Sequence, residues 1–293
     1  MILVSGANGR LGRRIVQHLI ARSPAPVAGR LAVSVREPAR AADLASRGVE
    51  VRHGDFELPA TLASAFTGVE RLILTSTDGP RAQHIARHRQ AIAAARGAGV
   101  QHVFYVSLLD VAADSPAEYA AVHREAESAL ADSGLAHTVL RNTLYADDLP
   151  QLAGPALNDG ILALPAGEGA VSLVSRDELA QAMAAAALAP RLEKHVYELT
   201  GQVASGFATI ADKIARVSGQ ALRYSAISEV KYVAAQQQAG LPAWQANALG
   251  SLFRAVAEGR FARTSNDFAA LVGHPPKSLD CMIHEYFTPR STS

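Results

Sequence analysis

The first half of the chain alternates between two rhythms of apolar and polar positions. Short apolar runs such as Ile2-Leu3-Val4 suit strands buried on both faces, and the stretches between them repeat their apolar residues at helical spacing, as in Ile15, Val16, Leu19 and Ile20. This predicts strands at 1–5, 30–36, 49–53, 70–76, 101–107 and 136–141. The intervening helices are predicted near 9–22, 38–47, 58–67, 82–98 and 117–133. Strands alternating with helices in this way indicate βαβ units. Their right-handed crossovers wind a Rossmann-type, doubly wound parallel sheet, an α/β fold.

After Asn142 the rhythm breaks, and Pro150, Gly154, Pro155, Gly160, Pro165, Gly167 and Gly169 divide the chain into short segments. The pattern predicts a nucleotide-binding domain over 1–145 and a smaller α+β substrate-capping region over 146–293. Within the latter, 171–200 returns elements to the main sheet through a helix near 176–188 and a strand at Val196 to Leu199. Trp244, Phe253 and Phe261 read as core of the smaller region, and Pro289 to Ser293 as a disordered tail.

The loop behind the first strand carries the most specific chemistry. Gly6, Ala7, Asn8, Gly9, Arg10, Leu11 and Gly12 place three glycines three residues apart between a strand and an amphipathic helix. Glycine lets main-chain N–H groups approach a ligand closely, and the first helical turn offers unpaired donors to an anion. That is the context a dinucleotide pyrophosphate requires. At the end of the second strand, where an acidic residue would bind the ribose hydroxyls of NAD, stands Arg36. A guanidinium there suits a 2′-phosphate and predicts NADPH, with Arg10 and Arg40 available at the same end. Asp55 and Phe56 follow the third strand, where they suit an adenine; Thr75, Ser76 and Thr77 follow the fourth, where small hydroxyls suit a ribose and nicotinamide.

Composition narrows the class. Lys plus Arg number 28 against 27 for Asp plus Glu, so no general attraction to nucleic acid is expected. The single cysteine, Cys281, excludes an internal disulfide and fits a reducing compartment, the cytoplasm by default. No signal peptide or membrane-spanning stretch is predicted. His84 and His88 are four apart but lack a third ligand, so no metal is expected. Oligomeric state is left open.

The glycine loop, Arg36, Val106-Ser107-Leu108 and Leu140-Arg141-Asn142-Thr143-Leu144-Tyr145 together resemble the NmrA-like atypical short-chain dehydrogenases. Within these, the resemblance is to the branch of bacterial NAD(P)H:quinone oxidoreductases and triphenylmethane dye reductases. Val35-Arg36-Glu37-Pro38, Gly240-Leu241-Pro242 and Gly273-His274-Pro275 extend the likeness nearly end to end. It implies that Gly6, Asn8, Gly9, Arg10, Leu11 and Gly12 hold the pyrophosphate, Arg36 the 2′-phosphate, and Thr75 to Thr77 the nicotinamide-side ribose. Asn142 and Tyr145 would line an acceptor pocket.

Short-chain dehydrogenases generally pair a serine after the fifth strand with Tyr-x-x-x-Lys on the next helix. Here the matching positions hold Ser107, Tyr119 and His123. A histidine replaces the lysine cation only when charged, so the proton machinery is reduced. This favours an acceptor such as a quinone, whose reduced form is a stabilised phenolate. The expectation is hydride transfer from NADPH to a quinone, with Ser107, His123 and Tyr119 as catalytic candidates. The alternatives are a dye, azo or nitro reductase, and a non-catalytic redox sensor of the NmrA kind. Glu125 and Glu127, two residues apart, cannot share a helical face and read as a solvated turn.

Overall fold

The computed structural model describes residues 1–22 and 28–288. Its strands are β1 (Ile2–Ser5), β2 (Leu31–Val35), β3 (Glu50–His53), β4 (Arg71–Leu74), β5 (His102–Leu108), β6 (Ala136–Asn142), β7 (Ile161–Leu164), β8 (Ala170–Val171), β9 (Val196–Leu199), β10 (Ser205–Gly206) and β11 (Arg223–Ala226). The helices used below are α1 (Arg10–Arg22), α2 (Ala42–Ala45), α3 (Pro59–Ala65), α4 (Arg81–Gly97), α5 (Glu118–Ser133), α6 (Leu149–Asp159), α7 (Arg176–Leu188), α8 (Phe207–Ser218), α9 (Glu229–Gln238) and α10 (Ala243–Ala257).

Seven strands form one sheet in the order β3-β2-β1-β4-β5-β6-β9, and the pairs from β3 to β6 are parallel. The strand order reverses between β1 and β4. In such sheets ligands bind outside the carboxyl ends of the strands at that switch point. The chain divides into two compact units, one of 1–108, 122–142 and 176–197, the other of 109–121, 143–175 and 198–293.

The first unit buries both faces of its sheet, as parallel sheets do. On one face Leu3, Leu72, Leu74, Val103, Tyr105 and Val139 pack with Leu62 of α3, Ala91, Ile92 and Ala95 of α4, and Leu130 of α5. Helices α1 and α7 pack against each other. The alanines 180, 182, 184, 186 and 187 of α7 are fully buried, and their small side chains permit close helix approach. In α4 the buried residues His84, His88, Ala91, Ile92 and Ala95 form a single stripe at helical spacing. Two histidines thus occupy core-facing positions.

In the second unit β7 pairs in parallel with β11, and β8 antiparallel with β10. Phe207 of α8, Tyr232 of α9 and Phe253 of α10 form edge-to-face ring contacts, with ring centroids 5.4 and 5.8 Å apart. Phe253 and Phe261 are buried and Trp244 is half-buried. The tail expected at Pro289 to Ser293 lies outside the described residues. Among the described residues, no helix is long and apolar enough to cross a membrane.

Candidate active site

The glycine loop is built as its sequence demands. Gly6 adopts φ +63°, a left-handed conformation that favours glycine. A Cβ on Gly12 would meet the Gly6 carbonyl oxygen at 2.5 Å, so the first turn of α1 closes onto the loop only because position 12 has no side chain. Asn8 fastens the loop to the end of β2 by donating from Nδ2 to the Glu37 carbonyl at 3.0 Å. Arg13 braces the far side, donating to both carboxylate oxygens of Asp43 and to the Arg40 carbonyl.

A cleft runs along the carboxyl ends of β1 to β4. Gly6, Asn8, Gly9, Arg36, Arg40, Asp55, Phe56 and Thr77 all line it. Arg10, Leu11, Gly12, Thr75 and Ser76 are not on its lining. The Arg36 side chain is 69% exposed, and its ion pair with Glu37 is a loose 4.0 Å. Such a contact contributes little, so the guanidinium is available to an incoming anion. Arg87 and Gly54 line the cleft as well, and of the two only Arg87 was not singled out by the sequence. Arg87 of α4 donates to the Asp78 carbonyl and pairs with Glu57, closing the lower wall. At Gly54 a Cβ would lie 2.0 Å from Ser34 Oγ, so any larger residue there would have to turn the Ser34 hydroxyl aside.

The three residues after β4 divide their work. Thr75 is buried, its Oγ1 donating to the Ser5 carbonyl at 3.0 Å, so it ties β4 to β1. Ser76 Oγ lies 3.0 Å from His84 Nε2 and 3.2 Å from His88 Nε2. Thr77 Oγ1 is buried with no hydrogen-bond partner among the described residues. An unpaired buried hydroxyl is costly and fits a polar ligand group.

Deeper in the same unit, the Tyr105 hydroxyl lies 3.2 Å from His88 Nδ1 and 2.8 Å from His123 Nδ1. All three side chains are buried. Desolvation dominates their protonation: it lowers His123 to about 3 and His84 to about 4. Desolvation and then the neighbouring His123 and His84 hold His88 well below its ordinary value. The site therefore presents neutral imidazoles, and His123 supplies no fixed cation at the position of the family's lysine. Burial also pushes the Tyr105 phenol well above its ordinary range, with Glu127 adding to the shift.

Ser107, at the end of β5, donates to Glu127 Oε1 at 2.6 Å. Glu127 in turn holds Arg141 of β6 through two hydrogen bonds of 3.0 and 2.6 Å. This corrects the solvated-turn reading: Glu127 lies within α5 with its side chain only 15% exposed, and Glu125, on the same helix, pairs with Arg89. Asn142 ends β6, buried, and neither its Oδ1 nor its Nδ2 has a partner among the described residues. Tyr119 and Tyr145 belong to the second unit, where both are half-buried and Tyr145 bridges to Val174.

The Gly6 to Gly12 cradle, the loosely paired Arg36 and the unpartnered Thr77 hydroxyl fit a phosphorylated dinucleotide. The family model described as NAD(P)H-binding matches residues 6–190. The chain belongs to the NAD(P)H-binding family. It is 36% identical over 287 residues to quinone oxidoreductase 2 of Escherichia coli, covering 98% of this chain and 99% of that one. The crystal structure of the E. coli enzyme complexed with NADPH superposes with a TM-score of 0.92 at 34% identity, covering 98% of this chain and all of that one. The NADP(H) complex of Citrobacter sp. triphenylmethane reductase gives 0.90 at 31% identity, covering 98% of this chain and 100% of that one. An NAD(P)H azoreductase of Xenophilus azovorans is 27% identical, over 95% of each chain. The NmrA-like resemblance and the Rossmann-type fold expected from the sequence both stand.

Proposed function

We propose that the protein is an NADPH-dependent reductase that transfers hydride to a quinone or a similar conjugated acceptor. The observation that carries this reading is the end-to-end likeness to a quinone oxidoreductase of the same family. Bound NADPH supplies the hydride; the protein supplies orientation and electrostatics. In this reading Gly6, Asn8, Gly9, Arg10, Leu11 and Gly12 cradle the pyrophosphate, Arg36 and Arg40 hold the 2′-phosphate, and Asp55 and Phe56 flank the adenine. Thr77 takes the nicotinamide-side ribose, while Thr75 and Ser76 shape the loop that presents it. Ser107, His123 and Tyr119 act at the reacting end, Asn142 and Tyr145 line the acceptor pocket, and residues 146–293 supply the cap. We place the reaction in the cytoplasm, in keeping with the free, exposed Cys281.

A redox sensor is the second reading. It rests on the incomplete Tyr-x-x-x-Lys pattern, with His123 at the lysine position, which a protein that only binds dinucleotide could also show. Steady-state oxidation of NADPH followed at 340 nm separates the two. A panel of 1,4-benzoquinone, menadione, an azo dye and a triphenylmethane dye should give saturable turnover, fastest with a quinone. A dye outpacing both quinones would move the acceptor assignment to dye or azo reduction. Tight NADPH binding without turnover on any acceptor would favour the sensor.

A further inference from the structure

The hydrogen bonds around Tyr105 take their direction from the Thr77 amide, with the Ser76 hydroxyl, 3.2 Å from the same His88 nitrogen, able to donate alongside it. The Thr77 backbone N–H points to His88 Nε2 at 3.4 Å, and a backbone amide can only donate. His88 Nε2 therefore carries no hydrogen. Since burial keeps His88 neutral, its single ring proton sits on Nδ1. That Nδ1–H, 3.2 Å from the Tyr105 oxygen, must donate to it. The phenol then spends its own hydrogen on the shorter, 2.8 Å bond to His123 Nδ1. His123 is neutral as well, so its proton is confined to Nε2. No hydrogen bond among the described residues engages that Nε2.

Resting on the reductase reading, we propose that Thr77, His88 and Tyr105 form a directional relay of hydrogen bonds that locks His123 as an uncharged Nε2–H donor to the acceptor oxygen. His88 and Tyr105 are positioning residues; His123 is the group that meets the acceptor. A neutral imidazole is a suitable electrophile here, because a fixed N–H dipole in a dry site stabilises developing oxyanion charge without a proton being transferred from it. The step balances without an imidazolate. Hydride from the cofactor converts the quinone to a hydroquinone anion, His123 Nε2–H stabilises the new charge, and water protonates the anion on release. The anchor of the relay is the loop after β4, so the same segment whose Thr77 faces the cofactor cleft sets the tautomer of the residue assigned to the acceptor.

The groups that bear on this cluster are the neighbouring rings and, one helical turn after His123 on α5, the Glu127 carboxylate, which is held by Ser107 and Arg141. His84 and His88 face His123 from α4, and Tyr105 from β5. The charges that reach the cluster are Glu127, acting on Tyr105, and Asp78 and Arg87, acting on His84. Hence kcat should be flat from about pH 5 to 8, without a limb near the ordinary histidine value.

The test combines the tautomer with the kinetics. Two-bond proton–nitrogen correlation spectra of histidine-labelled, acceptor-free protein should show His123 as a single Nε2–H tautomer and His88 as Nδ1–H. In Tyr105→Phe the His123 resonance should become a mixture of tautomers. Its kcat with menadione should fall about 10- to 100-fold with KM for NADPH unchanged. A His123 carrying its proton on Nδ1, an acidic kcat limb near 6.5, or a Tyr105→Phe variant with unaltered tautomer and kcat would overturn the inference. The wild-type spectra decide the matter even if the variant does not fold. They are recorded without an acceptor, so a locked Nε2–H in a protein that reduces no quinone overturns the reductase reading, and the inference that rests on it. A wrong tautomer in a protein that does turn over overturns only the relay.

Discussion

The Tyr105 hydroxyl and His123 Nδ1 lie 2.8 Å apart in the buried interior of the nucleotide-binding unit. Desolvation is the main cause of both their shifts, lowering His123 to about 3 and raising the Tyr105 phenol above its ordinary range. Acid should therefore weaken the fold through these histidines. Their folded values lie below 6.5, about 3 for His123 and about 4 for His84, so in acid the unfolded chain binds protons that the folded chain refuses. Stability is fully present above 6.5 and is lost as pH falls below it, with a slope approaching about 1.4 kcal/mol per pH unit for each histidine. Urea unfolding at pH 5 and pH 7 checks this. Equal free energies at the two values would mean the imidazoles are solvated.

Arg36→Asp should remove the preference for NADPH. A charge-assisted contact to phosphate contributes about 1.5–3 kcal/mol, or roughly 10- to 100-fold in affinity. The carboxylate would also repel the 2′-phosphate. Titrations of both cofactors should show NADH bound at least as well as NADPH in the variant. A variant that keeps a strong NADPH preference would remove Arg36 from the site.

Gly12→Ala should lose dinucleotide binding at a cost in stability. The new Cβ would lie 2.5 Å from the Gly6 carbonyl oxygen, which is backbone and cannot swing aside. We expect cofactor affinity to drop at least 10-fold and the fold to lose about 1–3 kcal/mol, the range for overpacking. Cofactor titration beside thermal unfolding would expose an error if binding stayed at the wild-type level.

How much of this was legible in the sequence depended on the range of the interaction. The strands before Asn142 and the glycine loop were written locally, in runs of apolar residues and in glycines whose role needs only their neighbours. The Tyr105 network was not. Tyr105 sits within Val103-Phe104-Tyr105-Val106 and reads as one more core residue, and its partners lie 17 and 18 positions away on helices before and after it. The four-residue spacing of His84 and His88 was visible, but only the packing of α4 on the sheet shows that both meet Ser76 and that His88 meets Tyr105. Glu127 was misread for the same reason: its partners Ser107 and Arg141 stand on two adjacent strands that only the fold brings to one helix face.

Asn142 offers a contrast between stability and function. Its amide is buried without partners among the described residues, a penalty of about 1–3 kcal/mol. Asn142→Leu, which keeps the branching at Cγ and removes the polar atoms, should raise the melting temperature while lowering kcat/KM for quinone. A variant that is more stable and equally active would show the amide to be idle.

The central claim is direct hydride transfer from bound NADPH to the acceptor. Single-turnover stopped flow with protein preloaded with NADPH, carrying either hydrogen or deuterium at the transferred position of C4, tests it most directly. Rapid mixing with menadione should oxidise the cofactor and reduce the quinone at one common rate, slowed by deuterium as a primary isotope effect. Bound NADPH that persists unoxidised in the presence of saturating quinone would contradict the account.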